Sequence, residues 1–182
     1  MLFRLPRPLL PLTKTDPRGQ TTNYTYDASG TYLTQVAYPA LTNYDGTVSH
    51  YTESFTYNPD GTKATHTDQN GNVTSYGYDQ YGNLTTENKN TNRSAQDQLT
   101  LSYGYNLLGQ KTSASDGNAH TTTFQYDSAG RLRFETKQVT DPATGQLKDV
   151  TTETQYDKAG NKAKVIDPEG KPTSFTYTPT NL

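Results

Sequence analysis

The side chains that could bind a metal or take part in catalysis are three histidines, His50, His66 and His120, and a series of carboxylates. The histidines stand at unrelated positions in the sequence pattern and have no second ligand at a metal-like spacing. A zinc site needs several convergent ligands. The histidines are therefore interpreted as ordinary strand or loop residues, and no metal site is predicted.

The carboxylates recur beside turn residues, which is the pattern that turn formation alone produces. The segment "DQNGN" places Asp68, Asn70 and Asn72 at alternate positions, as at the start of a calcium loop. Val73 takes the sixth position and Asp79 the twelfth, where a bidentate glutamate would stand, so a turn is favoured. Cysteine is absent, and neither a nucleophile elbow nor a phosphate loop is found. We predict a chain that is not an enzyme, has no catalytic residues and holds no cofactor.

A repeated phrase positions these carboxylates. It consists of a tyrosine, then Asp or Asn, then glycine three residues later, and a seventh copy at Tyr177 lacks the glycine. The six full copies, which form the predicted structural motif, are Tyr26, Asp27 and Gly30; Tyr57, Asn58 and Gly61; Tyr78, Asp79 and Gly82; Tyr105, Asn106 and Gly109; Tyr126, Asp127 and Gly130; and Tyr156, Asp157 and Gly160.

Each phrase has the chemistry of a strand end followed by a turn. Asp or Asn can accept a hydrogen bond from the backbone two residues on, and glycine adopts the positive φ that closes a hairpin. A second aromatic residue usually stands two positions before the tyrosine, as in Tyr24 and Tyr26. That spacing puts both rings on one face of a strand.

The spacing of the tyrosines defines a larger unit. Successive intervals are 31, 21, 27, 21, 30 and 21 residues, so long and short intervals alternate in a repeat of about fifty. Short intervals contain a second turn, which starts at Asp68, Asp116 or Asp167, and long intervals carry additional loop residues. Strands and turns of about ten residues predict roughly a dozen strands.

The composition fits such a sheet. Leu, Ile, Val and Phe make up only 27 of 182 residues and the mean hydropathy is −0.95, but 15 Tyr supply apolar area and 33 Thr suit strands. The net charge of −2 argues against disorder. A pI of 5.9 with 16 Lys plus Arg disfavours nucleic-acid binding, and no apolar run reaches the length of a membrane span.

The residue six positions after each tyrosine alternates in chemistry. An apolar or aromatic residue opens each long interval and a lysine opens each short one. The positions are Tyr32, Lys63, Leu84, Lys111, Leu132 and Lys162. If the apolar residues pack inward, each lysine either points to solvent or lays its stem along apolar surface. The lysines are too far apart to act as one basic patch.

These phrases, among them "YDASGTYL", "YDQYGNL" and "YDSAGRL", joined by segments such as "DQNGNVTSYGYD", resemble the YD repeats (Rhs repeats) of Rhs proteins, Tc-toxin shell components and teneurins. The resemblance covers residues 16–178. It implies an all-β fold, an antiparallel repeat sheet of sequential β-hairpins that forms a curved or spiralling strip, like part of an Rhs shell. Residues 1–15 are predicted to be an irregular lead-in and residues 179–182 a tail.

The resemblance also implies a function. We expect a structural segment of a secreted or cell-surface bacterial protein, associated with a toxin, whose partners are the remainder of a larger Rhs-like chain or its toxin cargo. Open sheet edges predict self-association. The alternative is a carbohydrate or cell-surface binding and adhesion module that uses exposed tyrosines.

Overall fold

The computed structural model describes residues 10–118 and 120–178, and in these ranges the regular structure is almost entirely β-strand. The strands of the described part are β1 (Thr13–Thr15), β2 (Thr21–Tyr26), β3 (Leu33–Ala37), β4 (Leu41–Thr42), β5 (Val48–Ser49), β6 (Thr52–Tyr57), β7 (Lys63–Thr67), β8 (Val73–Tyr78), β9 (Leu84–Lys89), β10 (Leu99–Tyr105), β11 (Lys111–Ser115), β12 (Thr121–Tyr126), β13 (Leu132–Thr140), β14 (Leu147–Tyr156), β15 (Lys162–Ile166) and β16 (Pro172–Ser174). One turn of 3₁₀ helix spans Ala95–Asp97.

The strands follow one another in sequence order within a 14-stranded antiparallel sheet, except that β4 and β5 pair separately as a two-stranded sheet. The predicted all-β fold of sequential antiparallel hairpins is therefore confirmed. Sequential pairing is the expected result when every strand ends at a tight turn.

The chain divides into two structural units. The first comprises Met1–Gly77 with Asn88–Leu99, and the second comprises Tyr78–Glu87 with Thr100–Leu182. In the first unit, β3 pairs with β6, and the small hairpin β4–β5 is inserted between them.

The second unit contains the longest pairing. Strands β13 and β14 run antiparallel over seven residue pairs, from Phe134 opposite Glu153 to Thr140 opposite Leu147. The turn at its end closes with the Gly145 amide donating to the Asp141 carbonyl at 2.8 Å.

Burial is shallow in the described residues. Val36, at 8% exposure, is the one hydrophobic residue there that is buried. Half-buried rings and threonines on the sheet faces take the place of an aliphatic core.

Strand alternation follows the aromatic spacing. On β2, Tyr24 and Tyr26 are half-buried and Thr25 between them is exposed, and Phe124, Gln125 and Tyr126 alternate in the same way on β12. Each pair of rings therefore shares the more covered face of its strand.

The predicted lead-in and tail lie partly outside the described residues, which leave out residues 1–9 and the tail at 179–182. Within the lead-in, Thr13–Thr15 form β1 and pair with Thr21–Asn23, so regular structure begins before the predicted boundary at residue 16. The turn at Asp16 explains this, because a turn needs a strand on each side. In the described part of the chain, no helix is long and apolar enough to cross a membrane.

Candidate functional site

The turn after five of the six motif tyrosines is built on the carboxylate or carboxamide of its first residue, whereas in the turn at Asn58 the carboxylate of Asp60 accepts from the Thr62 amide. In the turn at Asp79, the Asp79 amide donates to the Asn83 carbonyl at 3.0 Å and the Gly82 amide donates to the Asp79 carbonyl at 3.1 Å. Oδ1 of Asp79 accepts from the amides of Tyr81 and Asn83, both at 2.9 Å, and Oδ2 accepts from the Asn83 side chain at 2.9 Å. One side chain thus satisfies backbone donors that would otherwise face only solvent.

The other predicted motif residues lie in turns of the same kind. The amide of each motif glycine donates to the carbonyl of its Asp or Asn, and each of the six glycines has a positive φ, between 65° and 89°. The motif residues are Tyr26, Asp27 and Gly30; Tyr57, Asn58 and Gly61; Tyr78, Asp79 and Gly82; Tyr105, Asn106 and Gly109; Tyr126, Asp127 and Gly130; Tyr156, Asp157 and Gly160.

The second turns of the short intervals use this geometry too. Oδ1 of Asp68 accepts from the amides of Asn70 and Asn72, at 2.9 and 2.8 Å. The turns at Asp16, Asp116 and Asp167 repeat the same pair of bonds. The sequence distinguishes two kinds of turn, with and without tyrosine, but the chain folds both in the same way.

These hydrogen bonds stabilise the ionised carboxylates. The Ser29 hydroxyl and the backbone amides of Tyr32 and Thr31 lower the pKa of Asp27 from 3.8 to about 2. The Arg131 side chain, which donates to Oδ2 at 2.8 Å, has the largest part in lowering the pKa of Asp127. The carboxylates of these turns are therefore acceptors held in place by the backbone.

A β-bulge accompanies the tyrosine. Tyr57 lies opposite Lys63, but Thr56 lies opposite Thr65, so Ala64 is one residue in excess. The same shift occurs at Tyr26, Tyr105, Tyr126 and Tyr156. The bulge increases the local twist where each strand enters its turn.

The tyrosine hydroxyl connects one repeat to the one before it. Tyr57 donates to the Leu33 carbonyl at 2.9 Å, and Leu33 is the residue opposite the preceding tyrosine, Tyr26. Equivalent bonds run from Tyr126 to Lys111, from Tyr156 to Leu132 and from Tyr177 to Lys162, at 2.8 to 2.9 Å. The seventh tyrosine therefore keeps the link although its glycine is missing.

Sequence reasoning missed this bond and the bulge. The signal was a fixed offset, because each acceptor lies 15 residues before its tyrosine across a short interval and 24 residues before it across a long one.

Residues at the end of one turn also touch the next tyrosine turn. The Gln110 side chain donates to the Gly130 carbonyl at 2.7 Å, and Arg131 donates to the Asp157 carbonyl at 3.5 Å. In the first unit, the Tyr32 hydroxyl occupies the space that a Cβ on Gly61 would need. Gly61 is therefore required for its positive φ and for its small size.

Tyr32 does not take the position that the sequence offset gave it. The turn at Asp27 closes one residue later than the others, on the Tyr32 carbonyl, so Leu33 stands opposite Tyr26. The aligned position is therefore corrected from Tyr32 to Leu33. The Tyr32 ring packs against Tyr57 instead in a tilted arrangement, with 4.8 Å between the ring centroids and 30° between the ring planes.

Two of the three repeat lysines lie over aromatic rings. The Lys63 ammonium is 5.1 Å from the centre of Phe55 and 5.8 Å from that of Tyr76, and the Lys111 ammonium is 4.4 Å from that of Tyr103. Of the two arrangements expected for these lysines, the one along apolar surface is found here. Lys162 is exposed.

The histidines lie apart from one another in the pattern. His50 is exposed. His66 stacks on Phe55 and its Nε2 is 3.1 Å from Oε2 of Glu53. Glu53 also accepts from the Tyr38 hydroxyl at 2.9 Å, so its carboxylate is the centre of a polar cluster on the first unit.

His120 follows the turn at Asp116 and contacts both Asp116 and Thr140. Among the described residues, no group of three or more His, Asp or Glu side chains could hold a metal ion.

Comparisons with known proteins complete this description. The chain is similar to a TcdB2-TccC3-Cdc42 structure, with 20% identity and a TM-score of 0.63 over 81% of this chain and 8% of that one. It is also similar to a TccC3 mutant of the Tc holotoxin pore of Photorhabdus luminescens, with 19% identity and a TM-score of 0.62 over 81% of this chain and 7% of that one. At this identity the likeness concerns the fold, and the chain spans about 8% of the length of the structures it matches.

No curated protein matches the chain. The family model "RHS Repeat" matches residues 57–94 and 105–146, the segments that begin at Tyr57 and Tyr105. The resemblance to the YD-repeat family is thereby confirmed, and these two segments are similar to RHS repeats.

Proposed function

We propose that the chain is a structural segment of a larger Rhs-like protein, part of the wall of a shell or scaffold in a secreted or surface-exposed bacterial toxin, and that it catalyses no turnover reaction. Its partners are then the remainder of that chain or the toxin cargo. The RHS repeats and the fold shared with Tc-toxin structures support this proposal.

The observation that carries it is the use made of the repeated residues. In five of the six motifs the Asp or Asn side chain accepts from backbone amides, glycine allows the turn, and the Tyr57 and Tyr156 hydroxyls donate to carbonyls of the preceding repeat. The carboxylates, carboxamides and hydroxyls that could bind a ligand thus make hydrogen bonds that extend the sheet. A module that grows by adding equal hairpins is suited to forming a wall.

The test uses the full reading frame that contains this chain. Its product is treated with a protease, and the survival of the segment downstream of residue 182 is followed by mass spectrometry. Protection that is lost in a Tyr57→Ala, Tyr156→Ala double variant supports encapsulation. Cleavage of the downstream segment at equal rates in both proteins rejects it.

A second candidate function is binding of carbohydrate or a cell surface. It is favoured by Tyr44 and Tyr81, which have exposed fractions of 110% and 68% and can present a ring face to a sugar. A glycan array with Tyr44→Ala and Tyr81→Ala separates the two functions, with Tyr57→Phe as the control. Saccharide binding that only the first two variants lose supports adhesion, and absence of binding rejects it.

Self-association through the outer strands of the sheet also stays a prediction. The outer strands in the order are β1 and β16, and Pro172 in β16 lacks an amide donor. Light scattering tests it, since a species larger than a monomer that dissociates on a further proline substitution in β1 is expected. A monodisperse monomer at every concentration rejects it.

A further inference from the structure

One turn of the second unit carries an imidazole where three other turns of the chain carry the side-chain amide of an asparagine. The fifth residue of the turn donates from its side chain to Oδ2 of the first residue at 2.8, 2.9 and 3.1 Å when it is Asn72, Asn83 or Asn161. In the turn at Asp116 the fifth residue is His120, whose Nδ1 lies 3.2 Å from Oδ2 of Asp116. An imidazole does the structural work of the amide and leaves a second nitrogen available.

The second nitrogen faces a hydroxyl group. Nε2 of His120 lies 3.2 Å from Oγ1 of Thr140, the last residue of β13. The backbone amide of His120 has the largest part in lowering the pKa of Asp116, so Asp116 is a carboxylate that only accepts hydrogen bonds. The proton of a neutral His120 is therefore assigned to Nδ1, and Nε2 accepts from Thr140.

A groove adjoins this array. It has a volume of about 560 Å³, within the range of ligand sites, and both His120 and Thr140 line it. Tyr103 and Ala114, which lie opposite each other on β10 and β11, form one apolar part of its lining. Val139 gives the groove a second apolar wall. The hydroxyl of Thr140 thus stands at a cleft that can hold an apolar group.

We propose that Thr140 is a site of covalent acylation, in which His120 acts as general base and Asp116 positions it. Oγ1 of Thr140 attacks the carbonyl carbon of an activated ester with a short apolar acyl group, and its proton passes to Nε2. The tetrahedral intermediate collapses, the C–O bond to the alcohol breaks, and the alcohol leaves with the proton from Nε2. The products are an O-acylated Thr140 and one alcohol, with no oxidant or reductant required.

The groove also offers a positive charge. Lys137 lines it, and its ammonium group is 3.0 Å from Oε1 of Glu135. Such a group can stabilise the negative charge that develops on the carbonyl oxygen. The reaction modifies the protein once and is separate from the scaffold role, so it stands or fails independently of the proposed function.

The test is a reaction of the intact chain with p-nitrophenyl butyrate. Release of p-nitrophenol is followed by absorbance, and the acylated residue is located by peptide mass spectrometry. One equivalent of rapid release and one butyryl group on Thr140 are expected. Thr136 on the same strand is the internal control, since its Oγ1 is bonded to Oγ1 of Thr151 at 2.8 Å and no histidine contacts it there.

Three variants separate chemistry from folding. His120→Asn keeps the hydrogen bond that Asn72 makes in its own turn, and Thr140→Val removes the hydroxyl. His120→Asn should slow acylation about a hundredfold or more, the usual contribution of a general base, and Thr140→Val should abolish acylation at this position, both with an unchanged melting temperature. His66→Asn, whose partner is Glu53, should react like the unaltered protein.

The role of Asp116 as a positioning residue is tested by Asp116→Asn. Asn already opens the turns at Asn58 and Asn106, so the fold should persist, but an amide can donate to Nδ1 and reverse the tautomer. Loss of Thr140 acylation with normal thermal unfolding supports the proposal. Acylation of Thr140 at full rate in His120→Asn or Asp116→Asn, or butyryl groups spread over lysines with Thr140 unmodified, overturns it.

Discussion

The hairpins that lie in the short intervals between tyrosines (the short hairpins) resemble one another closely. Those in the long intervals (the long hairpins) differ from one another. The three strands that open the short hairpins, β7, β11 and β15, have five residues each and all lead into a turn that begins with aspartate. The three long hairpins contain, respectively, the separate pair β4–β5, a turn of 3₁₀ helix, and the extended strands β13 and β14.

The difference follows from the positions of the turn, the bulge and the hydroxyl bond along each hairpin. The turn and the bulge lie within a few residues of the tyrosine, where both kinds of hairpin begin, and the hydroxyl of the same tyrosine makes the bond to the preceding repeat. A short hairpin ends before it leaves this region, whereas the far end of a long hairpin lies beyond it. Length and structure are therefore free to vary only at the far ends of the long hairpins.

The far ends of the long hairpins therefore need other hydrogen-bond partners for their backbone amides and carbonyls. In the first unit, the Asn92 carboxamide does so, since its Oδ1 accepts from the Val73 amide at 3.1 Å and its amide donates to the Gly71 carbonyl at 2.7 Å. Arg93 donates to Oδ1 of Asn72 at 2.8 Å. These side chains replace the backbone pairing that an additional strand would give.

The largest effect is expected from removing a linking ring. Tyr57→Ala deletes the contact with Tyr32 and the bond to the Leu33 carbonyl, and it should lower the free energy of unfolding by about 2 kcal/mol, less than for a fully buried aromatic. Tyr44→Ala, at the exposed tip of a long hairpin, should change it by less than about 0.5 kcal/mol. Urea denaturation measures both, and equal losses would contradict the distinction between the two regions.

Replacement of a glycine by alanine compares the backbone of a tyrosine turn with that of a long hairpin's far end. Gly61→Ala forces a Cβ into positive φ and against the Tyr32 hydroxyl, and should cost about 1 to 2 kcal/mol. Gly46, in the β4–β5 hairpin, also has positive φ but has open space around it. Its replacement by Ala should loosen only that hairpin, which hydrogen exchange would show as local fast exchange with unchanged global unfolding.

A smaller effect is expected from the hydroxyl alone. Tyr156→Phe keeps the ring but removes the donor to the Leu132 carbonyl, so unfolding should become easier by about 1 kcal/mol. Tyr44→Phe is the matched control in a long hairpin. If thermal unfolding of Tyr156→Phe coincides with that of the unaltered protein, the hydroxyl bond does not connect repeats in solution.

The features that recur with the tyrosine repeat could be predicted from the sequence alone. Tyr57, Asn58 and Gly61 recur with fixed neighbours, and from them came the strands, the turns and the sequential antiparallel order. The bulge at Tyr57 was out of reach, because an excess residue such as Ala64 has no distinctive type. The tyrosine hydroxyl donates to a backbone carbonyl. Because every residue type has one, the acceptor residue cannot be recognised from its side chain.

His120 makes a contact with Thr140 that the sequence could not predict, for a different reason. Its interpretation as an ordinary loop residue rested on the absence of ligands at metal-like spacing along the chain. Thr140 is twenty residues away and reaches His120 only because β12 and β13 pair. Contacts between strands of that kind require the register, and in the pairing of β12 with β13 a bulge at Tyr126 shifts the register by one residue.

The smallest expected effect is that of acid on the first turn of the two kinds of hairpin. Long hairpins open with Asp27, Asp79 and Asp127, whereas two of the three short ones open with Asn58 and Asn106, which do not titrate. The pKa of Asp27 is lowered from 3.8 to about 2 in the folded chain. A depressed folded value means that the stability it contributes is present above the unfolded pKa and is lost as pH falls through the folded one.

Acid should therefore loosen the turn at Asp27 between about pH 4 and pH 2, while the turn at Asn106 stays closed. The amide resonances of Gly30 and Gly109, followed by NMR across this range, report the two turns. Gly30 should shift and Gly109 should not, and Asp27→Asn should remove the shift of Gly30. Parallel titration of both glycines would show that acid unfolds the sheet as a whole, and that the carboxylate at the opening of a long hairpin is not what distinguishes it.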